Sequence, residues 1–417
     1  MSTHNHSSAE NTHRILSQSV ESGGSDGMNT NTGATPALEV EGLRVEIAQG
    51  FRRIVHAVSG VDLSIAAQET LGLVGESGCG KTTTGKAIAG LVKPTGGRIA
   101  ISGTDLTGLK GRSLRKVRNT VQMIFQDPIS SLNPRRKILG TIMEPMAIWS
   151  IGSPEERRAR ALELLEQVGL EPHLVANRLP YQLSGGQCQR VSVARALTLS
   201  PDLLICDEPV SALDVSVQAH ILNLLNDVQR TYRLSMLFIS HDLSVVRNVS
   251  DRVAVMYMGR ICEVAPVADL FDHPMHPYTL ELLRSIPVHA RTASSTGMPA
   301  VTPAGTADVS VPDLEPIIAT AGNRPSTATG SGNVDVERPD AQQPFRGWLQ
   351  AGIQGPIDST LPDAASISSA LSPPSGCRYH PRCPHATSIC TSEQPPMMEL
   401  SPDHTVACHH PLIQPVS

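Results

Sequence analysis

Residues 75–82 read Gly-Glu-Ser-Gly-Cys-Gly-Lys-Thr, a GxxxxGK[ST] loop whose residue types suit the binding of a polyphosphate. Gly75, Gly78 and Gly80 permit backbone angles that turn successive N–H groups inward, making an anion-binding nest. Glu76, Ser77 and Cys79 fill the other loop positions, where the chemistry uses backbone N–H groups and has no need of a thiolate. A helix opening at Lys81 adds its positive dipole end. Lys81 would reach the β- and γ-phosphates, and the Thr82 hydroxyl would ligate Mg2+, with Thr83 beside it in the first helical turn. The apolar run Thr70–Val74 just before the loop supplies the strand it must follow. Strand, glycine loop and helix in that order separate this motif from a chance glycine turn. The chain is expected to bind a nucleoside triphosphate.

Two further stretches could do phosphate chemistry. Leu203-Leu-Ile-Cys-Asp207-Glu208 reads as a buried strand whose two carboxylates lie at the C-terminal edge of a sheet, where ligands of such sheets bind. Asp207 can hold Mg2+ through water, and Glu208 can orient or deprotonate the attacking water. A strand ending in a solvated acid pair is ordinary by itself; downstream of a phosphate loop it reads as half of an ATPase. Leu183-Ser-Gly-Gly-Gln187 precedes the helical pattern Arg190–Leu197. Ser184, Gly185, Gly186 and Gln187 therefore sit at a second helix N-terminus, a second anion site that one chain alone does not need.

The surrounding elements follow from composition. The 417 residues, 40% hydrophobic, suffice for two or three domains. Charged residues at 18%, aromatics at 3% and a net charge of −5 advertise no nucleic-acid surface. No apolar run reaches membrane-spanning length, and the Ser-, His- and Asn-rich N-terminus has no apolar core of a secretory signal. The expectation is a protein on the cytoplasmic side of the membrane, with any membrane role exercised through partners. Residues 1–37 are unpatterned and read as a disordered extension, and 38–287 alternate apolar runs with helical patterns in the rhythm of an α/β domain. Residues 288–372 are rich in Ala, Pro, Thr, Ser and Gly and read as a low-complexity linker, followed by a Cys-rich region at 373–417.

The order of motifs resembles that of the ATP-binding-cassette ATPases across 38–287. That order is phosphate loop, Gln126 in Met123-Ile-Phe-Gln-Asp-Pro128, Ser184–Gln187, Asp207-Glu208, Ser211-Ala-Leu-Asp214 and His241 in Ile239-Ser-His-Asp-Leu243. The resemblance implies a P-loop α/β fold: a mixed sheet core, an antiparallel β subdomain, a helical signature subdomain and a small Cys-rich tail domain. It implies ATP and Mg2+ as ligands, with Thr82, Asp207 and Gln126 toward the metal. Glu208, His241 and Gln126 would be catalytic. A head-to-tail dimer with a second cassette ATPase is also implied, each ATP lying between Lys81 of one subunit and Ser184–Gln187 of the other. Relatives often stack adenine on an aromatic near the end of the first strand; Ile47 stands there, and Phe51 is the substitute candidate.

Longer strings narrow the resemblance. Gln126-Asp-Pro-Ile-Ser-Ser-Leu-Asn-Pro-Arg135, Ser211–Gln218 and His273-Pro-Met-His-Pro-Tyr-Thr279 are similar to those of dipeptide and oligopeptide importer ATPases, nearer the F-type than the D-type subunit. The implied partners are two integral-membrane permease subunits, a paired ATPase and, indirectly, an extracytoplasmic solute-binding protein. Nickel, glutathione and oligosaccharide importers share the subfamily, and soluble cassette proteins of translation or DNA repair are a further reading. The cassette itself never touches the solute.

Cys377, Cys383, Cys390 and Cys408 form the second chemical signal, four of the chain's eight cysteines. Clustered cysteines in a cytosolic chain argue for metal over disulfides. The CxxC pairs usual for structural zinc are missing, so an iron–sulfur cluster of the [4Fe–4S] type leads over zinc and over free thiols. The tail also resembles that of peptide-importer ATPases in which such a cluster occurs. Placed beyond the linker, it need not touch ATP. His380, His385, His409 and His410 read as solvated, and Cys79, Cys188, Cys206 and Cys262 as packing residues.

Overall fold

The computed structural model describes residues 35–49, 53–286 and 371–412. Phe51, nearly all of the 1–37 extension and nearly all of the 288–372 linker lie outside them. Two sheets carry the cassette. The smaller is antiparallel, in the order β2-β1-β4-β5, from β1 (Leu38–Gln49), β2 (Arg53–Ile65), β4 (Gly96–Ile101) and β5 (Thr104–Asp105). The larger holds β3 (Thr70–Val74), β6 (Val121–Ile124), β7 (Leu203–Asp207), β8 (Ser235–Ile239), β9 (Arg252–Tyr257) and β10 (Arg260–Pro266). Its last two strands come from the tail: β11 (Met398–Ser401) and β12 (His404–Val406).

The larger sheet runs β6-β7-β8-β3-β9-β10-β12-β11. From β6 to β9 every pairing is parallel, and from β9 onward every pairing is antiparallel. The central strands β3, β7 and β8 are buried at every position, which is why they read as continuous apolar runs with no alternation. Alternation persists in which core they feed. Leu203 and Ile205 of β7 join Leu237, Ile239 and the small sheet in one core. Leu204 and Cys206 face the other, with Met236 and Phe238.

Helix α1 (Lys81–Ile88) covers the first face through Ala87 and Ile88. α3 (Ile138–Ile148), α4 (Pro154–Gln167), α6 (Gly185–Leu197), α7 (Val215–Tyr232) and α8 (Leu243–Arg247) cover the second. Shorter helices are α2 (Gly111–Val117), α5 (Pro172–Val175), α9 (Val267–Asp272), α10 (Pro277–Arg284) and, in the tail, α11 (Ser388–Ser392). Among the described residues no helix is long and apolar enough to cross a membrane.

The tail is not a free-standing module. β12 pairs with β10 (Glu263 opposite Val406, Val264 opposite Thr405), so the Cys-rich region extends the cassette's own sheet. The physical cause is the edge that β10 would otherwise leave, a row of unpaired backbone groups that a further strand satisfies. A buried pair locks this join: His404 Nε2 meets Glu263 Oε1 at 2.7 Å, and both residues are buried. The remaining Glu263 capacity accepts the N–H groups of Met275 and His276 at 2.7 and 2.9 Å.

Candidate functional site

Four adjacent parallel strands end at one edge and each delivers one piece of chemistry there. β3 runs into the phosphate loop, β6 into Gln126, β7 into Asp207 and Glu208, and β8 into His241. The loop's shape demands glycine where the backbone comes closest. Gly75 has φ 151°, and a Cβ there would stand 2.1 Å from the Met256 carbonyl oxygen; Gly80 has φ 109°, and its Cβ would stand 2.3 Å from that of Ala57. Gly80 is also the N-cap of α1 and gives it no side-chain cap. The first N–H groups of α1 therefore keep their donor capacity for an anion.

Lys81 is buried, its ammonium donating to the carbonyls of Gly75 (2.7 Å) and Glu76 (3.0 Å). Thr82 Oγ1 donates to Asp207 Oδ1 at 2.9 Å. Burial pushes the Asp207 carboxyl up from its usual range, while the Thr82 hydroxyl and the Lys86 and Lys81 ammonium groups hold it down. A buried carboxylate touching a hydroxyl beneath a phosphate nest fits Mg2+, which takes one or two protein oxygens and completes its shell with phosphates and water.

Glu208 begins the turn after β7 in the left-handed region, φ 46°, a conformation costly for a residue with a side chain. Its N–H donates to the Ile239 carbonyl at 2.9 Å, holding that turn against β8. The carboxylate is then gripped from two sides: Gln126 Nε2 donates to Oε2 at 2.9 Å, and His241 Nδ1 lies 3.3 Å from the same oxygen. Gln126, Glu208 and His241 are thus one contact group, as their motif positions predict.

Ser184–Gln187 stand apart from this group. Ser184 is exposed and caps α6 in a reciprocal box: its hydroxyl accepts from the Gln187 N–H at 3.2 Å, and Gln187 Oε1 accepts from the Ser184 N–H at 3.0 Å. Among the described residues none of these bonds reaches the phosphate loop. That fits a turn presented outward to a second copy. Ile47 is 44% exposed at the far end of β1.

All four tail cysteines line one cavity with His276, Tyr379, His380, His385, His409 and His410. Cys390 and Cys408 are buried. Burial pushes the Cys408 thiol up to about 12 and that of Cys383 to about 11, with neighbouring cysteines adding to both. No group of three or more His, Cys, Asp or Glu among the described residues is arranged to hold a metal ion, so the expected iron–sulfur cluster has no formed metal site behind it. Three of the histidines bond elsewhere: His380 Nδ1 to the Cys377 carbonyl oxygen, His409 Nε2 to that of Glu393, His410 Nε2 to Thr387 Oγ1. Cys79, Cys188, Cys206 and Cys262 are buried, and burial raises each of their thiols.

Two contacts escape sequence reasoning. The tail reaches the phosphate loop, since Arg382 Nη1 donates to both carboxylate oxygens of Glu76 at 2.9 and 3.0 Å. Tyr278, fully buried, accepts the Glu76 N–H at 2.9 Å. The string His273–Thr279 that contains Tyr278 stood out as a family signature, but nothing in it announced a bond to residue 76.

Residues 58–211 match the ABC transporter family, and residues 262–306 and 353–390 match the oligopeptide/dipeptide transporter C-terminal region. The oligopeptide transport ATP-binding protein AppF of Bacillus subtilis is 42% identical over 85% of this chain and 89% of its own length. The oligopeptide transport ATP-binding protein OppF of Salmonella typhimurium is 40% identical over 89% and 95%. A dimeric ATP-binding cassette in a post-hydrolysis state bound to ADP and Pi is similar in structure, with TM-score 0.51 and 32% identity over 55% of this chain and 98% of that one. With a phosphate loop, a held carboxylate and a tail strand all accounted for, the chain belongs to the oligopeptide/dipeptide family of ABC transporter ATP-binding proteins.

Proposed function

We propose that the chain is the ATP-hydrolysing subunit that energises import of di- or oligopeptides through a membrane permease complex. The observation that carries this reading is the Glu208 carboxylate, gripped by Gln126 and His241 at the mouth of the phosphate loop. A carboxylate so oriented can take a proton from an attacking water in line with the γ-phosphate. The nest of residues 75–83 holds the phosphates, with Lys81 released from its carbonyls to meet them. Thr82, Asp207 and Gln126 would hold Mg2+, which supplies charge neutralisation there. Ser184–Gln187 complete the site of a second ATPase subunit, so each γ-phosphate draws two cassettes together and pushes on two permeases at the cytoplasmic face of the membrane. A solute-binding protein outside the membrane delivers the cargo, and no nucleic acid is involved. The test is reconstitution of the chain with its permeases and paired ATPase in vesicles. Peptide-loaded binding protein should stimulate ATP hydrolysis; stimulation by nickel or a sugar alone would overturn the peptide assignment.

For the tail we propose the four-cysteine cavity as a thiolate site for a [4Fe–4S] cluster. The support is the donor set: four cysteines lining one cavity. Four thiolates are the usual ligand count of such a cluster. Raised thiol pKa values mean that ligation must displace protons, which makes it pH-dependent. Protein purified without oxygen should be brown with about four irons per chain; one tight zinc, or no metal, overturns the assignment.

A further inference from the structure

The Glu76 residue of the phosphate loop is held at all three of its polar groups. Its N–H donates to Tyr278 Oη, its carboxylate receives Arg382, and its carbonyl receives the Lys81 ammonium at 3.0 Å. One residue therefore joins the tail to the lysine that meets the phosphates. Arg382 is part-exposed, and its guanidinium has further partners beside Glu76. Its Nη2 donates to Glu281 Oε1 at 2.5 Å, and its guanidinium lies 5.8 Å from the Tyr257 ring and 5.9 Å from the Tyr379 ring, within reach of a cation–π contact. Tyr257, Tyr278 and Tyr379 pack against one another with centroids 4.6 to 5.5 Å apart, and the Tyr379 hydroxyl bonds Glu281.

Arg382 ends the short turn His380–Arg382, between Cys377 and Cys383, and both cysteines line the thiol cavity. The Cys377 N–H donates to the Cys390 carbonyl at 2.8 Å, and the His380 N–H to that of Cys377 at 3.0 Å, so the turn is built on the cavity wall. A change in how the cavity walls are spaced must move this turn, and a guanidinium clamped on four elements passes the movement on to Glu76.

We propose that Arg382 is a positioning residue for the phosphate loop, through which the four-cysteine cavity of the tail sets the affinity of Lys81 and its loop for nucleotide. The inference rests on the ATP-binding reading of that loop. It assigns the tail a part in the ATPase cycle besides completing the sheet. Arg382 touches no phosphate; it acts by holding Glu76, whose carbonyl is one of the two that receive the resting Lys81 ammonium.

The test is equilibrium binding of ATP to the full chain, read with a fluorescent ATP analogue, for the wild type, Arg382→Gln, Arg382→Lys, Glu76→Gln and the Arg382→Gln/Glu76→Gln double variant. Arg382→Gln should weaken binding by about 5-fold, the lower end of allosteric couplings. Arg382→Lys keeps the charge without the fork and should recover only part of that loss. Because the two residues act as one unit, the double variant should bind no more weakly than the weaker single. Cys383→Ser should shift affinity in the Arg382→Gln direction and add nothing in that background. Wild-type affinity in both Arg382 variants, or losses that simply multiply, overturns the positioning role. An unchanged Cys383→Ser overturns the cavity's part. Failure of the wild type to bind ATP would instead sink the proposed function, which keeps the two failures distinct.

Discussion

At the catalytic edge, neighbours in sequence do the positioning: β6, β7 and β8 each hand over a functional residue within two positions of the strand end, and β3 runs directly into the phosphate loop. At the tail, distant side chains do it, through Arg382 to Glu76, His404 to Glu263 and Tyr379 to Glu281. The first arrangement is stiff because a buried parallel sheet fixes it. The second depends on a few bonds that can be removed singly. A catalytic centre that must keep its geometry through many cycles sits on the stiff part. The part that can be tuned hangs on side chains. Variants at the edge should therefore change chemistry, and variants in the tail should change docking and affinity.

The sharpest break of this comparison is Glu208→Gln. It removes the proposed base while leaving the phosphate nest whole, so hydrolysis in the assembled complex should fall by about 10²- to 10⁴-fold with ATP binding kept. Near-normal turnover would take the base role away from Glu208. On the tail side, His404→Ala leaves the buried Glu263 carboxylate short of its partner and should cost about 3 kcal/mol of tail docking. Hydrogen exchange across residues 398–406 should rise by about a hundredfold while the strands of the catalytic edge stay protected; uniform exchange would deny that the tail opens separately.

A smaller effect, about tenfold or more, is expected for Lys81→Ala on ATP affinity, the value of one charge-assisted hydrogen bond to phosphate. Titration calorimetry with unchanged affinity would count against the phosphate-loop reading. The gentlest effect is on the pH profile. Burial holds His276 down to about 4 from 6.5, against the pull of Glu263, with His404 and Tyr379 also facing this pocket. Between those two values the unfolded chain binds a proton that the folded chain refuses. Stability is thus full above the upper value and falls as pH drops toward the lower, by at most about 1.4 kcal/mol per pH unit. Melting temperatures at pH 7 and pH 5 should differ less for His276→Gln than for the wild type.

The legibility of the sequence divides along the same line. β3, β7 and β8 announce themselves as unbroken apolar runs, and the candidate residues lie at or shortly after the end of each, Lys81 across the phosphate loop from β3, so Lys81, Asp207, Glu208 and His241 could be found by reading forward. β12 is three residues long, too short to show a period, and its partner Glu263 lies 141 residues before His404. Arg382 and Glu76 are 306 residues apart, and no local pattern reports a pairing at that range. Hence the cysteines were legible as a set, while their attachment to the sheet and to the phosphate loop was not. Phe51, the candidate for the adenine contact, lies outside the described residues.

The join between β10 and β12 sets an order of events during synthesis. A chain made from its N-terminus completes β9 and β10 by residue 266, while the strand that covers β10 spans His404–Val406. Until those residues emerge, β10 stands as an open edge carrying Ile261, Cys262 and Val264, side chains that the finished protein buries. An open apolar edge is a template for pairing with another chain. A strand made late is thus the seal on a sheet whose other strands are made earlier. A ribosome that stops short of them releases a cassette with every phosphate-handling group in place and a surface ready to aggregate.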